Sequence, residues 1–513
     1  MFTHSLSSVS QAFALCGIFL ATLLIPKILQ WRARMIKLNA IPTVGSSGFF
    51  SSHLSARKFK THAREIVQEG YKRYPGQAFK VPLPDRWEII VSGKKMMEDI
   101  KKASDLELSL IGAVAEIMQS EYTLGQPATI DAYHIEVVRT SLTRNLGAKF
   151  ADLQDEIKAA FADEIHAKET EWMQVPMLYT MMKIVSRSSS RYFVGLPLCR
   201  DPDYIKLNID FTVDAFKGSQ ILQCYPAILK PLVRQFLTDV PACFKRATKH
   251  LEPIIMERLQ KEKEYGSSTW PDKPNDLISW LLDEAQGERR KNIVYNIVSR
   301  VLVINFAAIH TTSMSLTNTL FHLAVNLHLA QPLREEVEST VAELGWTKAA
   351  MGKMWKLDSF LKETQRLTGS SVLSMSRLAL KDFTFSNGTV IPAGTIVNVV
   401  AHGLHHDNAH YEDPETLNAF RFFDMRGEDE NIKHQMVGID PSFALFGGGR
   451  HMCPGRFFAV NELKALVAHV LVTYDIKFEN DGKYPEPDWI GANCCPNRSA
   501  MVMFRKRSAS PPS

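Results

Sequence analysis

A cysteine within a glycine-rich stretch is the residue of this chain with the clearest chemistry. Residues 446–456 read Phe-Gly-Gly-Gly-Arg-His-Met-Cys-Pro-Gly-Arg. Consecutive glycines let a backbone adopt conformations that other residues avoid and approach a flat ligand closely. After Cys453, apolar residues recur at spacings of three and four, which predicts an amphipathic helix beginning just after Gly455. At a helix N-terminus the positive end of the dipole favours a thiolate, and a thiolate binds a soft metal.

This stretch resembles the haem-binding loop of the cytochrome P-450 (haem-thiolate) superfamily, Phe-x-x-Gly-x-(Arg or His)-x-Cys-x-Gly. The chain fills every fixed position of that pattern, with Phe446, Gly449, His451, Cys453 and Gly455. A glycine-rich turn with an incidental buried cysteine is the alternative. The resemblance implies haem b (iron-protoporphyrin IX) with the Cys453 thiolate as proximal iron ligand, which favours O–O cleavage on the other face. It also implies that Phe446 packs beside the sulfur and that His451 meets a haem propionate.

A second informative stretch is a nearly uncharged run from Asn292 to Leu323, which predicts a long buried helix. Within it, residues 307–312 read Ala-Ala-Ile-His-Thr-Thr. This resembles the family's oxygen-activation motif, (Ala or Gly)-Gly-x-(Asp or Glu)-Thr-(Thr or Ser). The resemblance implies that small residues such as Ala308 open a groove beside the haem. It also implies that the hydroxyl of Thr311, followed by Thr312, holds dioxygen and relays protons.

The chain departs from that motif at two positions. Ala308 stands in place of the usual glycine, and His310 in place of the usual acid. A histidine titrates near neutrality, so His310 is predicted to hand on protons through water. The alternative is that Thr311 and Thr312 only hydrogen-bond back to their own helix.

Two further motifs concern structure and haem carboxylates. Glu363 and Arg366 lie three apart on a predicted helix, so they share a face and can pair. Such pairs are usually solvated surface bridges. Here the placement before Cys453 resembles the family's Glu-x-x-Arg motif, which implies a buried structural triad with Arg421. By the same resemblance, Arg377 is a propionate partner.

A propionate partner is also expected from the helix that begins near Tyr133. In the superfamily this partner often belongs to a Trp-x-x-x-Arg pair, which this chain lacks. His134, Arg139 or neither therefore takes the role. A solvated basic face is the alternative.

The composition excludes several classes of protein. The chain has 513 residues, 45% hydrophobic and 22% charged, enough for a large core. A formal net charge of +5 gives no case for nucleic-acid binding. The seven cysteines are odd in number and show no Cys-x-x-Cys pair, which argues against a disulfide framework or a zinc site and favours a reducing compartment. Four neighbouring histidines are interpreted as polar loop residues rather than metal ligands: His402, His405, His406 and His410.

The N-terminus predicts membrane attachment. Residues 11–29 are apolar and contain no acidic residue, long enough to cross about 30 Å of hydrocarbon. Basic residues follow, so residues 1–10 are predicted to lie in the lumen. A cleaved signal peptide is the alternative, but the first residues carry no Lys or Arg. We predict a single-pass anchor in endoplasmic reticulum lipid, a basic and proline-containing linker (30–50), a cytosolic haem-thiolate domain (51–507) and a disordered tail (508–513).

Periodicity predicts a mostly helical body with a minor β-region, the fold that the family resemblance also implies. Residues 155–264 are predicted to be helical with a proline-containing break, and short strands are predicted at 88–92, within 383–399 and within 497–507. Some apolar residues near the break are candidates for a lipophilic lid, with core packing as the alternative: Phe211, Phe216, Ile221, Leu222 and Tyr225.

The resemblance covers nearly the whole chain after the anchor. It implies a monooxygenase that activates O2 with electrons from an NADPH-cytochrome reductase and oxidises a lipophilic small molecule. Strings such as residues 193–200, Phe-Val-Gly-Leu-Pro-Leu-Cys-Arg, look like fungal secondary-metabolism enzymes akin to ent-kaurene oxidase and indole-diterpene oxidases, so a terpenoid substrate is expected. The alternatives are a haem-thiolate catalyst of non-oxygenating rearrangement, desaturation or coupling, and a non-catalytic haem-binding protein. Arg450, Arg456 and Lys464 are expected near the thiolate side, where they could meet an acidic reductase surface, with ordinary solvated charges as the alternative.

Overall fold

The computed structural model describes residues 22, 25–46, 48–266, 268–426, 432–479 and 482–508. Residues 1–10, most of the predicted membrane anchor and residues 509–513 of the predicted tail lie outside the described residues. Within the described part, the chain is mostly helical with small sheets, which confirms the predicted mixture of a helical body and a minor β-region.

The helices follow one another along the chain, with a single π-helical turn at Val138–Leu142 between α7 and α8. Their bounds are α1 (25–39), α2 (Phe49–Arg73), α3 (Lys94–Lys102), α4 (Leu110–Met118), α5 (Ser120–Thr123), α6 (Gln126–Ile130), α7 (Tyr133–Val137), α8 (Thr143–Asn145), α9 (Phe150–Glu164), α10 (Met177–Phe193), α11 (Pro202–Gln223), α12 (Lys230–Leu237), α13 (Val240–Tyr265), α14 (Leu277–Glu284), α15 (Ile293–Val325), α16 (Ala330–Leu344), α17 (Lys348–Lys353), α18 (Trp355–Leu367), α19 (His402–His405), α20 (Arg421–Asp424) and α21 (Arg456–Thr473).

The strands form one five-stranded sheet in the order β1-β2-β8-β5-β3, one three-stranded sheet in the order β4-β12-β9, and two hairpins, β6-β7 and β10-β11. Their bounds are β1 (Ala78–Pro82), β2 (Trp87–Val91), β3 (Leu108–Ser109), β4 (Met173–Pro176), β5 (Leu373–Ala379), β6 (Phe383–Thr384), β7 (Val390–Ile391), β8 (Ile396–Val400), β9 (Tyr474–Lys477), β10 (Asp488–Ile490), β11 (Asn493–Cys495) and β12 (Met501–Lys506).

The long helix α15 forms the centre of the helical body. Its predicted extent, Asn292 to Leu323, matches the observed helix to within two residues. It is apolar on most sides because it packs against α10, α11, α13, α18 and α21. Within the described residues α15 is also the one helix long and apolar enough to cross a membrane by length and composition. Its packing inside the body makes it a core helix.

An irregularity in β5 orients the residues that follow it. β5 pairs with β8 in antiparallel register, and this register shifts between Ser374 and Arg377. Within the shift, Met375 adopts a left-handed backbone conformation (φ 53°). A bulge of this kind redirects the side chains that follow it, because it changes which face of the strand they occupy. Arg377 emerges from this bulge.

Candidate functional site

The loop that carries Cys453 is held by its own backbone. The N–H of Cys453 donates to the carbonyl of Phe446 (2.9 Å), and α21 begins three residues later at Arg456, as predicted. Gly449 has a φ of +69°, and a Cβ atom there would meet the backbone oxygen of Lys101 at 3.1 Å. Only glycine satisfies both the left-handed backbone and this close approach to α3. The glycine-rich pattern is therefore needed to seat the loop against α3.

The electrostatics at Cys453 are mixed. The backbone N–H groups of Gly455 and Arg456, together with the Arg456 guanidinium, lower the pKa of the thiol, as expected for a helix N-terminus. Burial is the larger effect, and it raises the pKa of Cys453 above its ordinary value. The loop alone therefore does not hold a thiolate. A bound metal cation is the partner that stabilises a buried cysteine in its deprotonated form.

Arg377 is buried and forms no ion pair with a carboxylate among the described residues. Its Nη1 donates to the carbonyl of Ser376 (2.9 Å), and its buried Nε has no hydrogen-bond partner among the described residues. Burial lowers the pKa of Arg377 to about 10. Buried polar groups in native structures are nearly always paired. The unsatisfied Nε of Arg377 therefore fits an anionic group of a ligand, such as a haem propionate.

Arg450 places further positive charge near Arg377, whose pKa it lowers. His451 pairs through Nε2 with a carboxylate oxygen of Asp105. Arg450 donates to the backbone carbonyls of Lys102 and Ala103, which lie at the C-terminal end of α3. Cations are favourable at that end of a helix because of its dipole. Asp105, whose charge also acts on Arg377, was not singled out by the sequence, since no motif contains it.

The structure separates the two candidates on the helix that begins at Tyr133. His134 accepts a hydrogen bond from the guanidinium of Arg300 on α15 (3.0 Å), and burial lowers the pKa of His134 to about 4. Arg139 pairs with Glu136 and reaches the carbonyl of Arg450 at 3.4 Å. Of the two, Arg139 is the one that approaches the Cys453 loop.

The central part of α15 exposes one face. From Asn296 to Val325 every residue is buried or half-buried except Ala307 and Thr311. These two residues are four apart and share a face of the helix. Their exposure in the middle of a core helix indicates open space beside this face, which we call the cavity. Ala308 is half-buried beside them, and Thr312 is buried on another face.

The two polar residues of the α15 motif make separate contacts. The hydroxyl of Thr311 donates to the carbonyl of Ala307 (2.7 Å), the back-bond that was the alternative to a catalytic role. Nε2 of His310 lies 2.9 Å from the carbonyl of Ile209 on α11. Among the described contacts, no hydrogen bond joins the His310 ring to Thr311. Burial lowers the pKa of His310 below its ordinary value.

The structure brings the three residues of the predicted triad together. Arg366 donates two hydrogen bonds to the Glu363 carboxylate (2.8 and 2.9 Å), and Nε of Arg421 donates to the same carboxylate (3.1 Å). All three side chains are buried. Arg366 also donates to the carbonyls of His405 and Pro414, so α18 is tied to the segment that leads toward the cysteine loop.

The expectation for Lys464 was wrong. This residue is buried, and its ammonium group pairs with Asp358 (2.8 Å) and donates to the carbonyl of Met351 (2.9 Å). It therefore cannot meet a partner surface. Arg456 is half-buried and donates to the carbonyl of Cys453 (3.1 Å). Arg450 is exposed but already bonded to the end of α3.

Two lid candidates belong to the core. Phe211 and Leu222 are fully buried, and the Phe211 ring packs against Phe244 (6.0 Å between centroids). Phe216 and Tyr225 are exposed, and the Phe216 ring lies 5.5 Å from the ring of Phe306 on α15. The exposed pair remains available to line an entrance to the cavity.

These features together fit a haem group. Cys453 would hold the iron of such a group, and Arg377, which has no ion pair among the described residues, would meet its carboxylates. His405, one of the four neighbouring histidines, is engaged differently, since its Nε2 accepts from the N–H of Ala444 (3.1 Å). Within the described residues no group of side chains has the arrangement of a separate metal site.

Comparison with known proteins agrees with this geometry. The sequence model of the family described as "Cytochrome P450" matches residues 42–502. The chain is 42% identical to "Cytochrome P450 monooxygenase 103" of Postia placenta, over 96% of this chain and 98% of that protein. It is 37% identical to "Cytochrome P450 monooxygenase CYP512U6" of Ganoderma lucidum (92% of each chain). It is 31% identical to "Cytochrome P450 monooxygenase paxQ" of Penicillium paxilli (93% of this chain, 94% of that protein).

Proposed function

The chain belongs to the cytochrome P450 monooxygenase family, whose cofactor is haem b with a cysteine thiolate as axial ligand, and on that premise we propose that it is a membrane-anchored enzyme that oxidises a lipophilic, terpenoid-like intermediate of secondary metabolism. Its electrons come from an NADPH-cytochrome reductase. The proposal is carried by the loop of Cys453, which Gly449 seats against α3, together with the small-residue face that α15 exposes at Ala307 and Thr311.

The chain's own residues have distinct tasks in this proposal. Haem bound through Cys453 supplies the activation of dioxygen. Arg377 neutralises a haem carboxylate, since its buried guanidinium has no carboxylate partner of its own. Gly449 keeps the loop seated on α3. Thr311 places a hydroxyl on the cavity face of α15, where it would hold a proton that the oxygen chemistry of the haem consumes.

The substrate class rests on the family resemblance and on the apolar character of the entrance. Fungal relatives named as monooxygenases align along nearly the whole chain. The aromatic pair Phe216 and Phe306 presents apolar surface beside the exposed face of α15. A polycyclic lipophile suits such a surface because apolar pockets bind by burying apolar area.

The proposed location is the endoplasmic reticulum membrane, with the catalytic body in the cytosol. Residues 11–29 have the length and composition of an anchor. The adjoining helix α1 exposes several large apolar side chains: Ile25, Ile28, Leu29, Trp31 and Ile36. Exposed apolar surface of this kind suits contact with lipid.

The first experiment tests the haem ligand. The purified full-length protein is reduced, exposed to carbon monoxide and scanned for the absorption band of thiolate-ligated haem. Cys453→Ser is expected to abolish the band. The matched control is Cys495→Ser, which changes another half-buried cysteine outside the glycine-rich loop and should retain the band. A normal band in Cys453→Ser would refute the assignment of the ligand.

The second experiment tests the reaction. The protein is reconstituted with NADPH-cytochrome reductase in lipid, supplied with diterpene and triterpene candidates under isotopically labelled dioxygen, and the products are analysed by mass spectrometry. Label in one product oxygen is the expected result. A product formed without label would instead support rearrangement, desaturation or coupling, and no turnover of any lipophile would support a non-catalytic haem protein.

A further inference from the structure

Buried polar contacts join α11 to the central helix α15. Nδ2 of Asn305 donates to Oδ1 of Asn208 (3.0 Å) and lies 3.4 Å from the hydroxyl of Tyr204. About one and a half turns further along α15, Nε2 of His310 lies 2.9 Å from the carbonyl of Ile209. Asn208, Asn305 and Tyr204 are fully buried. We call Asn208, Ile209, Asn305 and His310 the α11–α15 seam.

The seam requires a hydrogen-bond donor at position 310. The carbonyl of Ile209 can only accept, so Nε2 of His310 must carry the proton. Burial lowers the pKa of His310, so the ring is neutral and its other nitrogen has no proton. An ionised carboxylate at this position could not donate to Ile209 and would be repelled by the carbonyl oxygen. The replacement of the usual acid by histidine is thus explained by the neighbour on α11.

The seam lies beside the cavity face of α15. His310 is adjacent in sequence to Thr311, which borders the cavity. On the same two helices, the Phe216 ring packs against Phe306 (5.5 Å) and is itself exposed. α11 therefore covers one flank of the cavity, and the seam is its polar attachment to α15, beside its packing against α10 and α13.

We propose that His310 is a positioning residue that, together with Asn305, holds α11 in place over the substrate cavity, and that it does not relay protons to Thr311. This inference rests on the proposed function, since it takes the cavity beside Thr311 as the place where substrate binds. Buried polar contacts favour one register between two helices, because sliding α11 along α15 would also leave the N–H groups of Asn305 and His310 unpaired. Movement of α11 away from α15 breaks the seam, so the seam limits how fast a bulky ligand enters and leaves.

The test uses ligands of different size on the full-length, haem-loaded protein. The binding rates of imidazole and of the much larger ketoconazole are followed by stopped-flow absorbance. His310→Phe keeps a ring but removes the donor, and it should raise the entry and exit rates of ketoconazole about tenfold, the effect of one lost hydrogen bond. Imidazole rates should change less than about twofold. His310→Gln retains a donor and should restore the slow rates.

The matched control is His322, a buried histidine further along the same helix. Its ring packs against Tyr484, and His322→Phe should leave the binding rates of both ligands unchanged. The proposal is overturned if His310→Phe leaves ketoconazole rates unchanged or changes both ligands equally. It is also overturned if His310→Gln uncouples NADPH use as strongly as removal of the Thr311 hydroxyl does, since a proton relay would then be indicated.

A second measurement does not depend on haem or turnover. Hydrogen exchange of residues 202–223 is compared between the parent protein and the triple variant Tyr204→Phe, Asn208→Leu and Asn305→Leu, which removes the hydroxyl and both amides together and so strands none of these three buried groups. Faster exchange confined to α11 is expected. Unchanged hydrogen exchange in α11 would refute the role of the seam, even if the protein is confirmed as a monooxygenase. If the parent protein shows no monooxygenase activity, the exchange of α11 can still be compared.

Discussion

Thr311 differs from the other hydroxyl residues of α15 in its surroundings. Thr317 is fully buried and donates to the carbonyl of Ser313 (2.8 Å), and Thr312 is also buried. Thr311 makes the same kind of back-bond, to Ala307, but its side chain borders the cavity. A back-bonded hydroxyl can turn toward a ligand at the cost of one modest hydrogen bond. The back-bond alone therefore does not remove Thr311 from the chemistry.

Thr311→Ala is expected to uncouple NADPH consumption from product formation. Without the hydroxyl, the proton needed at bound oxygen is delivered less often, so reduced oxygen leaves as hydrogen peroxide. Because a positioned proton donor typically contributes a factor of about 100 or more, product formed per NADPH should fall at least tenfold. Peroxide and product are measured together against NADPH consumed.

Thr317→Ala is the control for that experiment. Thr317 is also a threonine of α15 whose hydroxyl donates to the carbonyl four residues earlier, but it lies away from the cavity. Coupling should stay at the parent level. Equal peroxide release by the two variants would show that the effect comes from the helix and not from the Thr311 hydroxyl.

At the scale of elements, α18 is joined to later parts of the chain by the buried triad. Glu363 accepts from both Arg366 and Arg421, and Arg366 donates onward to backbone carbonyls after α19. Two guanidinium groups share one carboxylate in a buried site, so the loss of that carboxylate strands both. The triad thus stabilises the segment that leads to Cys453.

Glu363→Ala is expected to lower the free energy of unfolding by about 3–5 kcal/mol, the usual result of breaking a buried ion pair. Urea unfolding followed by circular dichroism measures the change. The comparison is Glu288→Ala, which breaks an exposed pair with Lys291 and should cost about 1 kcal/mol or less. Similar losses in the two variants would contradict a buried structural role for the triad.

A second buried carboxylate joins α10 to α21. The hydroxyls of Ser188 and Ser189 donate to Glu462 (2.9 and 2.8 Å), and the side chain is fully buried. Burial raises the pKa of Glu462 from 4.5 to about 7, and the two hydroxyls only partly offset this. In the folded protein the group therefore keeps its proton up to neutral pH, whereas in the unfolded chain it does not.

The sign of the resulting pH dependence follows from that difference. The folded state binds the extra proton, so the stability linked to Glu462 is complete below pH 4.5 and is lost as the pH rises through about 7. The loss amounts to about 3 kcal/mol. Glu462→Gln should flatten this slope in urea unfolding between pH 5 and 8, whereas Glu257→Gln, at an exposed position, should not. An unchanged slope in Glu462→Gln would exclude Glu462 as its source.

Which elements could be predicted from the sequence depends on how local their causes are. α15 and α21 follow from apolar periodicity within their own segments: both ends of α15 were predicted to within two residues, and α21 begins where it was predicted to begin. Cys453 and the triad follow from short motifs. The burial of Lys464 and the bond from His310 to Ile209 could not be predicted, because each depends on a partner about one hundred residues away. The interpretation of His134 stayed open for the same reason, since Arg300 lies on another helix.

At the scale of the whole molecule, apolar surface is concentrated around α12. Five large side chains there are exposed, among them Ile228 at 85% and Phe236 at 76%, and the others are Leu229, Leu232 and Leu237. We call these five residues the α12 patch. Contiguous exposed apolar residues are uncommon unless they meet a partner or a membrane. Since the N-terminal anchor is proposed to hold the body at a bilayer, lipid is the partner that this patch would meet.

A fluorescent probe next to the α12 patch tests this contact in the full-length protein. Within the described part of the chain, Cys224 is the one exposed cysteine, and it lies a few residues before the patch. The emission of an environment-sensitive dye on Cys224 should shift to the blue when the protein is inserted in phosphatidylcholine vesicles, because apolar surroundings replace water.

The double variant Leu232→Asp with Phe236→Asp should remove this shift in emission, since two charges cannot be buried in hydrocarbon without a large cost. Ile439→Asp, at an exposed apolar residue outside the patch, should leave it intact. If the parent protein shows no shift, or if the Ile439 variant removes it equally, the body does not rest on the bilayer through α12.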